Sequence, residues 1–278
     1  MDDLLDALRV KDEFDRKFMR YAIWIGFPLA MVGVAGCQAV FESAFELSMW
    51  LVLLNVTVVW LLWTFWHSVI FEWHRKRFLS HGDGYRRAFF VDIFSGVTIG
   101  FLQMLRPSFN GINISCNETF PKLPRSVLDI AEDALGILVA IGAFALFVSA
   151  WRTLGTARVG FVCEFCNPVS FVPIQRGPYA RVRHPLFWSG IGLSWACAIL
   201  SGPTMTAAAI AMLNAGYGIV YNELEDRRLK RVFGDRYAGY AREVPHISPW
   251  GFTSRPLQDE QAVGKRSRRL LVARLRAS

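Results

Sequence analysis

The sequence predicts an all-α polytopic membrane protein with about six transmembrane helices, and three observations support this fold class. Hydrophobic residues make up 53% of the 278 residues and charged residues only 19%, whereas about 25% of a soluble domain is charged. Several apolar stretches approach or exceed the length of about 18 residues that indicates a membrane span. Because lipid offers the backbone no hydrogen-bond partner, these stretches are expected to be helices. The length and purity of the first two stretches disfavour a soluble helical bundle.

The predicted spans follow one another along most of the chain. The last two are short and are joined by Ser201-Gly202-Pro203, a tight-turn sequence, which predicts a helical hairpin. Beyond the hairpin, residues 224–244 carry apolar side chains near helical spacing, which is typical of an amphipathic helix at a membrane surface. The six predicted spans are residues 21–40, 47–71, 88–105, 127–151, 186–200 and 204–220.

The distribution of Lys and Arg predicts the orientation of these spans, because cytoplasmic loops collect basic residues. With the N-terminus inside, 28 of the 31 basic residues fall in predicted cytoplasmic segments. Both termini are therefore expected to be cytoplasmic, in a bacterial inner membrane or a membrane of the endoplasmic reticulum type. This topology and anionic inner-leaflet lipid explain the net charge of +8, so nucleic acid is not expected as a partner. The predicted cytoplasmic segments are residues 1–20, 72–87, 152–185 and 221–278.

The chain accordingly divides into four predicted regions. Residues 1–20 form a cytoplasmic segment that is charged and lacks the apolar core of a cleavable signal peptide, so the first span is expected to be a retained signal anchor. Residues 21–126 hold the N-terminal transmembrane helices. Residues 127–250 form a membrane core that contains the candidate chemistry, and residues 251–278 are a basic cytoplasmic tail.

The cysteines predict neither a disulfide framework nor a metal site. Cys163-Glu-Phe-Cys166 has the spacing of half a zinc site, but a second pair of ligands is missing from the sequence pattern. Two N-x-S/T sequons begin at Asn113 and Asn117 in the predicted outer loop, and they matter only in a eukaryotic source.

Two clusters of polar residues flank the predicted hairpin. The first ends in Arg183-His184-Pro185 and the second contains Glu223, Glu225 and Asp226. Because a hairpin returns the chain to the same face of the membrane, both clusters are expected to contribute to one site. The alternative is that the basic side chains snorkel to the lipid headgroups and the acidic ones form a solvated helix face. Acidic residues suit an anionic membrane surface poorly, and they are better matched to a bound cation.

The residues of these clusters form two separated motifs. The first is Gly177-Pro178-Tyr179, followed by Arg183-His184-Pro185 and Phe187. The second is Glu225, followed by Leu229, Phe233-Gly234, Tyr237, Tyr240 and Val244-Pro245. In order, spacing and membrane context, the two motifs resemble those of the isoprenylcysteine carboxyl methyltransferase and phospholipid methyltransferase superfamily. The resemblance covers roughly residues 150–250.

The resemblance implies an integral-membrane methyltransferase whose S-adenosylmethionine pocket lies at the cytoplasmic face, without a Rossmann domain. The sequence agrees in lacking a Gly-rich turn between a strand and a helix. Arg183 or His184 would neutralise the methionine carboxylate, and His184 would be the candidate base for an amine or thiol acceptor. Carried over by position, the cofactor contacts would be Phe171, Ile174, Tyr179, His184, Pro185, Leu186, Phe187 and Glu225, with Glu164 as a further polar contact.

Two positions depart from the family pattern, and one of them concerns the acceptor. Tyr221 stands where the carboxyl methyltransferases place an Arg for the substrate, which disfavours a prenylcysteine carboxylate. A lipid amine headgroup, a small thiol or a phenolic lipid would suit Tyr221 better as substrate contact. Phe187 keeps the aromatic ring of the family's Tyr and lacks its hydroxyl. The expected partners are a lipophilic or small methyl acceptor and membrane lipid, and the sequence indicates no particular oligomeric state.

Two other functions remain as alternatives. An NADPH-dependent membrane reductase of the sterol-reductase type would share the R-H-P step and a similar closing helix. Such reductases carry a Cys and a Lys before a Tyr-Gly, whereas this chain has Phe233-Gly234 and no Cys after Glu225. The further alternative is a non-catalytic membrane scaffold. Methyl transfer is the function that the motifs favour.

Overall fold

The computed structural model describes residues 1–44, 48–80, 84–107, 128–166, 172–201 and 204–246. The described residues are overwhelmingly helical and contain no β-strand, which confirms the all-α fold class. Three helices pass through a single π-helical turn, at Ala22–Gly26, Phe65–Val69 and Phe89–Ile93. The α-helices are α1 (Asp2–Ala7), α2 (Glu13–Tyr21), α3 (Phe27–Ala44), α4 (Met49–Thr64), α5 (Phe71–Leu79), α6 (Gly84–Ala88), α7 (Phe94–Leu105), α8 (Leu128–Leu154), α9 (Thr156–Val159), α10 (Val162–Cys166), α11 (Pro185–Leu200), α12 (Met205–Phe233) and α13 (Asp235–Glu243).

Three described helices are long and apolar enough to cross a membrane, namely Glu13–Gln38, Gly84–Leu105 and Ile130–Leu154. They coincide with the first, third and fourth predicted spans. The shorter apolar helix α4 lies within the second predicted span, and α11 covers the fifth and begins one residue before it. The sixth predicted span is the first part of α12, and the number of spans stays a prediction.

Large apolar side chains cover the outer faces of these helices. Trp50 on α4 is 73% exposed, and Leu138 on α8 is 68% exposed. A contiguous apolar surface of this kind is unfavourable in water and favourable against lipid tails. The chain is therefore a membrane protein whose long helices present their apolar faces outward.

The helical hairpin packs closely on α8. α11 runs along α8 and also packs against α12. A β-carbon added at Gly192 on α11 would lie 2.9 Å from the β-carbon of Ala143 on α8, so the missing side chain is what lets the two helices approach. Small residues at such contacts are a common means of packing helices in membranes.

A buried polar network joins four helices next to the hairpin. Asn214 of α12 accepts a hydrogen bond from the indole Nε1 of Trp60 on α4 (2.8 Å). Its amide nitrogen donates to the backbone oxygen of Gln103 on α7 (2.7 Å) and to the hydroxyl of Ser194 on α11 (2.8 Å). All four side chains are buried. Since an unpaired amide in an apolar interior is costly, Asn214 fixes the relative positions of these helices.

Short helices between α8 and the hairpin are held by an apolar cluster. Phe165 of α10 is buried against Leu4 and Leu8 at the N-terminus, and against Phe71 and Tyr85. The hydroxyl of Tyr85 donates to the backbone oxygen of Gly160 (2.6 Å). The N-terminal segment is thereby part of the packed structure and supports the helix that carries Glu164.

The predicted amphipathic segment 224–244 is divided between the end of α12 and α13. Gly234 separates the two helices with a φ of +61°, a conformation that favours glycine. The change of direction lets α13 fold back on α12, and Phe233, Tyr237, Tyr240 and Val244 become buried together. The hydroxyl of Tyr237 thereby reaches Asp226 of α12, and the hydroxyl of Tyr240 reaches the backbone oxygen of Tyr179.

Replacing Asn214 with alanine is expected to lower the thermal unfolding midpoint of the detergent-purified protein by about 5 °C. The change removes three hydrogen bonds between helices, each worth about 0.6 kcal/mol on average in a membrane protein, and 1 kcal/mol corresponds to about 2–4 °C. Asn55→Ala is the matched control, because Asn55 accepts a single hydrogen bond from Gln38 (3.1 Å) on an exposed face. A drop for Asn55→Ala as large as that for Asn214→Ala would contradict this role of the network.

Candidate active site

A cavity of about 270 Å³ lies between the hairpin, α13 and the N-terminal helices. One end of the cavity is charged and the other is aromatic. The charged and polar end includes Glu164, Tyr179, Arg183, His184, Glu225, Tyr237 and Tyr240. The apolar end includes Trp60, Trp63, Gly100, Phe101, Met104, Phe187 and Tyr221.

The two sequence motifs meet at the charged end. Pro185 is the first residue of α11 and His184 precedes it as the N-cap, an arrangement in which proline loses no helical hydrogen bond. The hydroxyl of Tyr240 on α13 donates to the backbone oxygen of Tyr179 (3.0 Å). The backbone N–H of Arg183 donates to the backbone oxygen of Pro245 (3.2 Å). The C-terminal part of the second motif is therefore hydrogen-bonded directly to the first motif.

His184 lies between two carboxylates of α12. Its Nε2 is 2.8 Å from Oδ1 of Asp226, and its Nδ1 is 3.3 Å from Oε2 of Glu225. Burial lowers the pKa of His184, but the hydrogen bonds to Asp226 and Glu225 and their charges raise it to about 9. The ring is therefore an imidazolium at neutral pH and donates from both nitrogens.

Asp226 is the acceptor on which the motifs converge. It is 1% exposed and accepts hydrogen bonds from Arg183, His184 and Tyr237. Burial acts to raise the pKa of Asp226. The hydrogen bond from His184 and its charge, the hydrogen bond from Tyr237 and the charge of Arg183 together hold that pKa below its ordinary value. The sequence placed Asp226 in the acidic cluster without assigning it a site role. Its position next to Glu225 was the available signal.

Arg228 connects Glu225 to a third carboxylate, that of Glu164, a role that the sequence motifs did not indicate. The guanidinium is fully buried, 2.7 Å from Oε2 of Glu164 and 3.1 Å from Oε1 of Glu225. It also lies 4.3 Å from the ring centroid of Phe71, a distance at which cation–π attraction adds to the ion pairs. Residues three apart on a helix share a face, so the spacing from Glu225 to Arg228 was the signal that could have identified it.

Glu164 lines the cavity from α10 and is 8% exposed. Burial raises the pKa of Glu164, the charge of Arg228 opposes this, and the balance places it at about 7. The pKa of Glu225 moves the other way. Burial alone would raise it, but the hydrogen bond and charge of His184 and the charge of Arg228 keep it below its ordinary value. The two carboxylates that share Arg228 therefore differ in proton affinity.

The apolar end of the cavity is a wall of stacked rings. Phe187 and Tyr221 stack with centroids 5.8 Å apart, and Trp63 meets Tyr221 edge-on at 5.7 Å. Trp60 contacts Phe187 from α4. Such ring pairs add to the energy of burial. The N-terminal helices thus supply part of the cavity wall, which the sequence motifs did not indicate.

Most of the predicted site residues line this cavity. Ile174, Tyr179, Arg183, His184, Leu186, Phe187, Tyr221 and Glu225 do so, as does Glu164. Pro185 is buried at the start of α11 and serves to begin the helix. Phe171 lies outside the described residues. Their roles in binding and catalysis stay predictions.

One group of side chains has the composition of a metal site. Ligand atoms of His184, Asp226 and His246 all lie within 4.8 Å of one another. Oδ1 of Asp226 accepts from His184, and Oδ2 is paired with the Arg183 guanidinium. His184 is protonated. A metal ion would have to displace a proton and lie beside a guanidinium, so an ion-pair network suits these residues better than coordination.

The fold and the cavity together define an all-helical membrane protein with an internal site that is charged at one end and aromatic at the other. No family model matches the chain, and no solved structure matches it. Three curated relatives match part of it, and each is named as a methanethiol S-methyltransferase.

The methanethiol S-methyltransferase of Mycobacterium tuberculosis (strain ATCC 25618 / H37Rv) is 31% identical over 103 residues, 36% of this chain and 35% of the relative. Methanethiol S-methyltransferase 1 of Bradyrhizobium diazoefficiens is 33% identical over 72 residues, 26% of this chain and 24% of the relative. Methanethiol S-methyltransferase 2 of the same organism is 35% identical over 86 residues, 30% of this chain and 31% of the relative. The matches thus span about a third or less of the relatives' length. The chain therefore has distant relatives that are named as methyltransferases.

Gly218→Ala is expected to weaken binding of S-adenosylhomocysteine about tenfold, if the implied cofactor occupies this cavity. A β-carbon at Gly218 would lie 2.0 Å from Cε1 of Phe187, so the ring must move, and overpacking of this kind costs about 1–3 kcal/mol. Gly216→Ala is the matched control in the same helix, since a β-carbon there meets no atom within 4 Å. Titration calorimetry on both variants measures the effect. Equal affinities for the two would show that Phe187 does not border the cofactor.

Proposed function

We propose that this chain is an S-adenosylmethionine-dependent integral-membrane methyltransferase that acts on a small thiol at the cytoplasmic face of the membrane. The observation that carries the proposal is the joining of the two motifs in one cavity, where His184 is held between Glu225 and Asp226. The names of the distant relatives support the reaction class and a thiol as acceptor. The distribution of basic residues supports the cytoplasmic placement.

The side chains at the charged end fit the cofactor that the motifs imply. Nε of Arg183 is buried and has no hydrogen-bond partner among the described residues. Arg183 lines the cavity, so this N–H is a candidate donor to the methionine carboxylate. Each oxygen of Glu225 accepts one bond from the protein, and a carboxylate oxygen can accept two. Glu225 thus keeps capacity for an amino group or a ribose hydroxyl.

The aromatic end fits a small apolar acceptor. Phe187, Tyr221 and Trp63 present ring faces and edges, and ring faces also attract a sulfonium cation. Tyr221 brings no positive charge to pair with an acceptor carboxylate. A thiol requires no such counter-charge, which favours it over a prenylcysteine carboxylate.

S-adenosylmethionine supplies an electrophilic methyl group when it is bound, and the protein has to place an acceptor in line with it. Displacement at a methyl carbon requires little covalent catalysis by the protein, so positioning of donor and acceptor contributes most of the acceleration of methyl transfer. Arg183 and Glu225 would orient the donor from the charged end. The ring wall would exclude water and hold the acceptor. His184, protonated and fixed at both nitrogens, would keep Glu225 in place.

The test of the proposed function is binding followed by turnover on the detergent-purified protein. Titration calorimetry with S-adenosylhomocysteine is expected to show binding at sub-millimolar concentration. Incubation with a radiolabelled methyl donor is expected to label methanethiol in preference to total lipid. NADPH binding without S-adenosylhomocysteine binding would favour the reductase alternative, and binding of neither would favour the scaffold.

Glu225→Gln is expected to weaken S-adenosylhomocysteine binding at least tenfold. The amide removes the negative charge and the second acceptor oxygen, and a hydrogen bond to a charged group contributes about 1.5–3 kcal/mol. Glu223→Gln is the matched control, because Glu223 lies two residues earlier on α12 and is exposed, with Arg227 at 3.1 Å as its partner. Calorimetry on both variants provides the comparison. An affinity of Glu225→Gln within twofold of the Glu223→Gln value would place the pocket elsewhere.

A further inference from the structure

Methyl transfer to a thiol needs a proton acceptor, because the thiolate is the nucleophile. His184 was the predicted base, but its two nitrogens are engaged by Asp226 and Glu225. A protonated ring held between two carboxylates has no lone pair to offer. A different group therefore has to receive the proton.

The other titratable side chains of the cavity are poor acceptors, with one exception. Burial raises the pKa of each of the four lining tyrosines, so all are neutral phenols. Burial also raises the pKa of the Cys163 thiol, which keeps its proton. Glu225 is ionised, but both of its oxygens are bound and its pKa is lowered, which makes it a weak base. Glu164 is the remaining carboxylate.

The placement of Glu164 suits proton transfer. It reaches the cavity from α10, next to the buried Phe165, and one oxygen is fixed by Arg228 at 2.7 Å. The described residues give the second oxygen no hydrogen-bond partner. Glu164 and the stacked ring of Tyr221 line the same cavity. The Glu164 carboxylate therefore has one oxygen fixed by the ion pair and one oxygen available to accept a proton.

We propose that Glu164 is the general base that removes the proton from a thiol acceptor, an inference that rests on the proposed function. The S–H bond of the acceptor breaks, and its proton goes to the second oxygen of Glu164. The thiolate sulfur then forms a bond to the methyl carbon as the bond from that carbon to the sulfonium sulfur breaks. The electron pair stays on the donor sulfur, which becomes a neutral thioether. The proton leaves Glu164 for solvent before the next turnover.

The charged groups around Glu164 set the pH at which it can act. Arg228 and Glu225 face it from α12, and the charge of Arg75 on α5 also reaches it. The charges of these three residues, together with burial, give Glu164 a pKa of about 7. The carboxylate fraction of Glu164 increases as the pH rises through 7, so kcat/KM for a thiol is expected to rise over this range and level off near pH 8.

Glu164→Gln tests the assignment. The variant is expected to bind S-adenosylhomocysteine, to lose about 100-fold or more in kcat/KM for methanethiol at pH 7.5, and to lose much less with an acidic aromatic thiol that ionises in water. Glu164→Asp should recover part of the activity. Glu72→Gln is the matched control, since Glu72 is a partly exposed carboxylate that does not line the cavity and is paired with Arg231 of α12 at 3.1 Å. Its activity should be unchanged.

A second measurement requires no turnover. An alkyl thiol, which stays neutral in water at pH 8, should show the ultraviolet spectrum of a thiolate when it is added at that pH to the protein with S-adenosylhomocysteine. Calorimetry in buffers of different ionisation enthalpy should show no proton released, because Glu164 retains it. Glu164→Gln should bind the same thiol without the thiolate spectrum. If that variant does not fold, the wild-type spectrum and proton count still decide whether an internal base exists.

The outcomes separate the two proposals. Wild-type protein that neither binds S-adenosylhomocysteine nor methylates a thiol overturns the proposed function. Wild-type activity with an equal loss in Glu164→Gln for all thiols, whatever their acidity, overturns the base while leaving the function. A proton released to buffer, or a neutral bound thiol in the wild type, does the same.

Discussion

The structure depends on the balance of charge in a buried network at the end of the hairpin. Glu164, Glu225 and Asp226 face Arg183, protonated His184 and Arg228, all linked by ion pairs. Removing a charge from water costs several kcal/mol unless partners compensate it. Because each carboxylate here has at least one cationic partner, α12 can carry acids and bases on its buried inner face. The same pairing joins α10, the start of α11 and α12 around the cavity, and a hydrogen bond from Tyr237 to Asp226 adds α13.

The juxtaposition of the two motifs was predictable because a short hairpin leaves its ends few other arrangements. His184 and Glu225 are 41 positions apart, yet the turn between α11 and α12 brings them together. The protonation of His184 could not be read from the sequence. It depends on Asp226 approaching the second nitrogen, which is set by the rotation of α12. The division of segment 224–244 into two helices also could not be read from the sequence, because it depends on the positive φ of one residue, Gly234.

Contributions from the N-terminal half lay beyond sequence reasoning for a different reason. Trp60 meets Asn214 across 154 positions, and no periodicity along either helix indicates which partner a buried polar side chain will find. Trp63 and Gly100 also form part of the cavity wall, and no pattern in the sequence indicates that they do. Packing of α4 and α7 against the hairpin decides the shape of the apolar end of the cavity. The N-terminal helices therefore contribute to the cavity as well as to the apolar outer surface.

The three-to-three pairing of acids and bases has a consequence for the energy of the reaction. With Glu164 ionised, the network carries no net charge. If Glu164 takes up a proton during turnover, the network gains one positive charge just as the sulfonium loses its own. The total charge inside the cavity is then the same in reactants and products, so the reaction moves a positive charge within the cavity instead of adding one. Proton release from Glu164 would restore neutrality and make room for the next cationic donor, coupling product exchange to solvent.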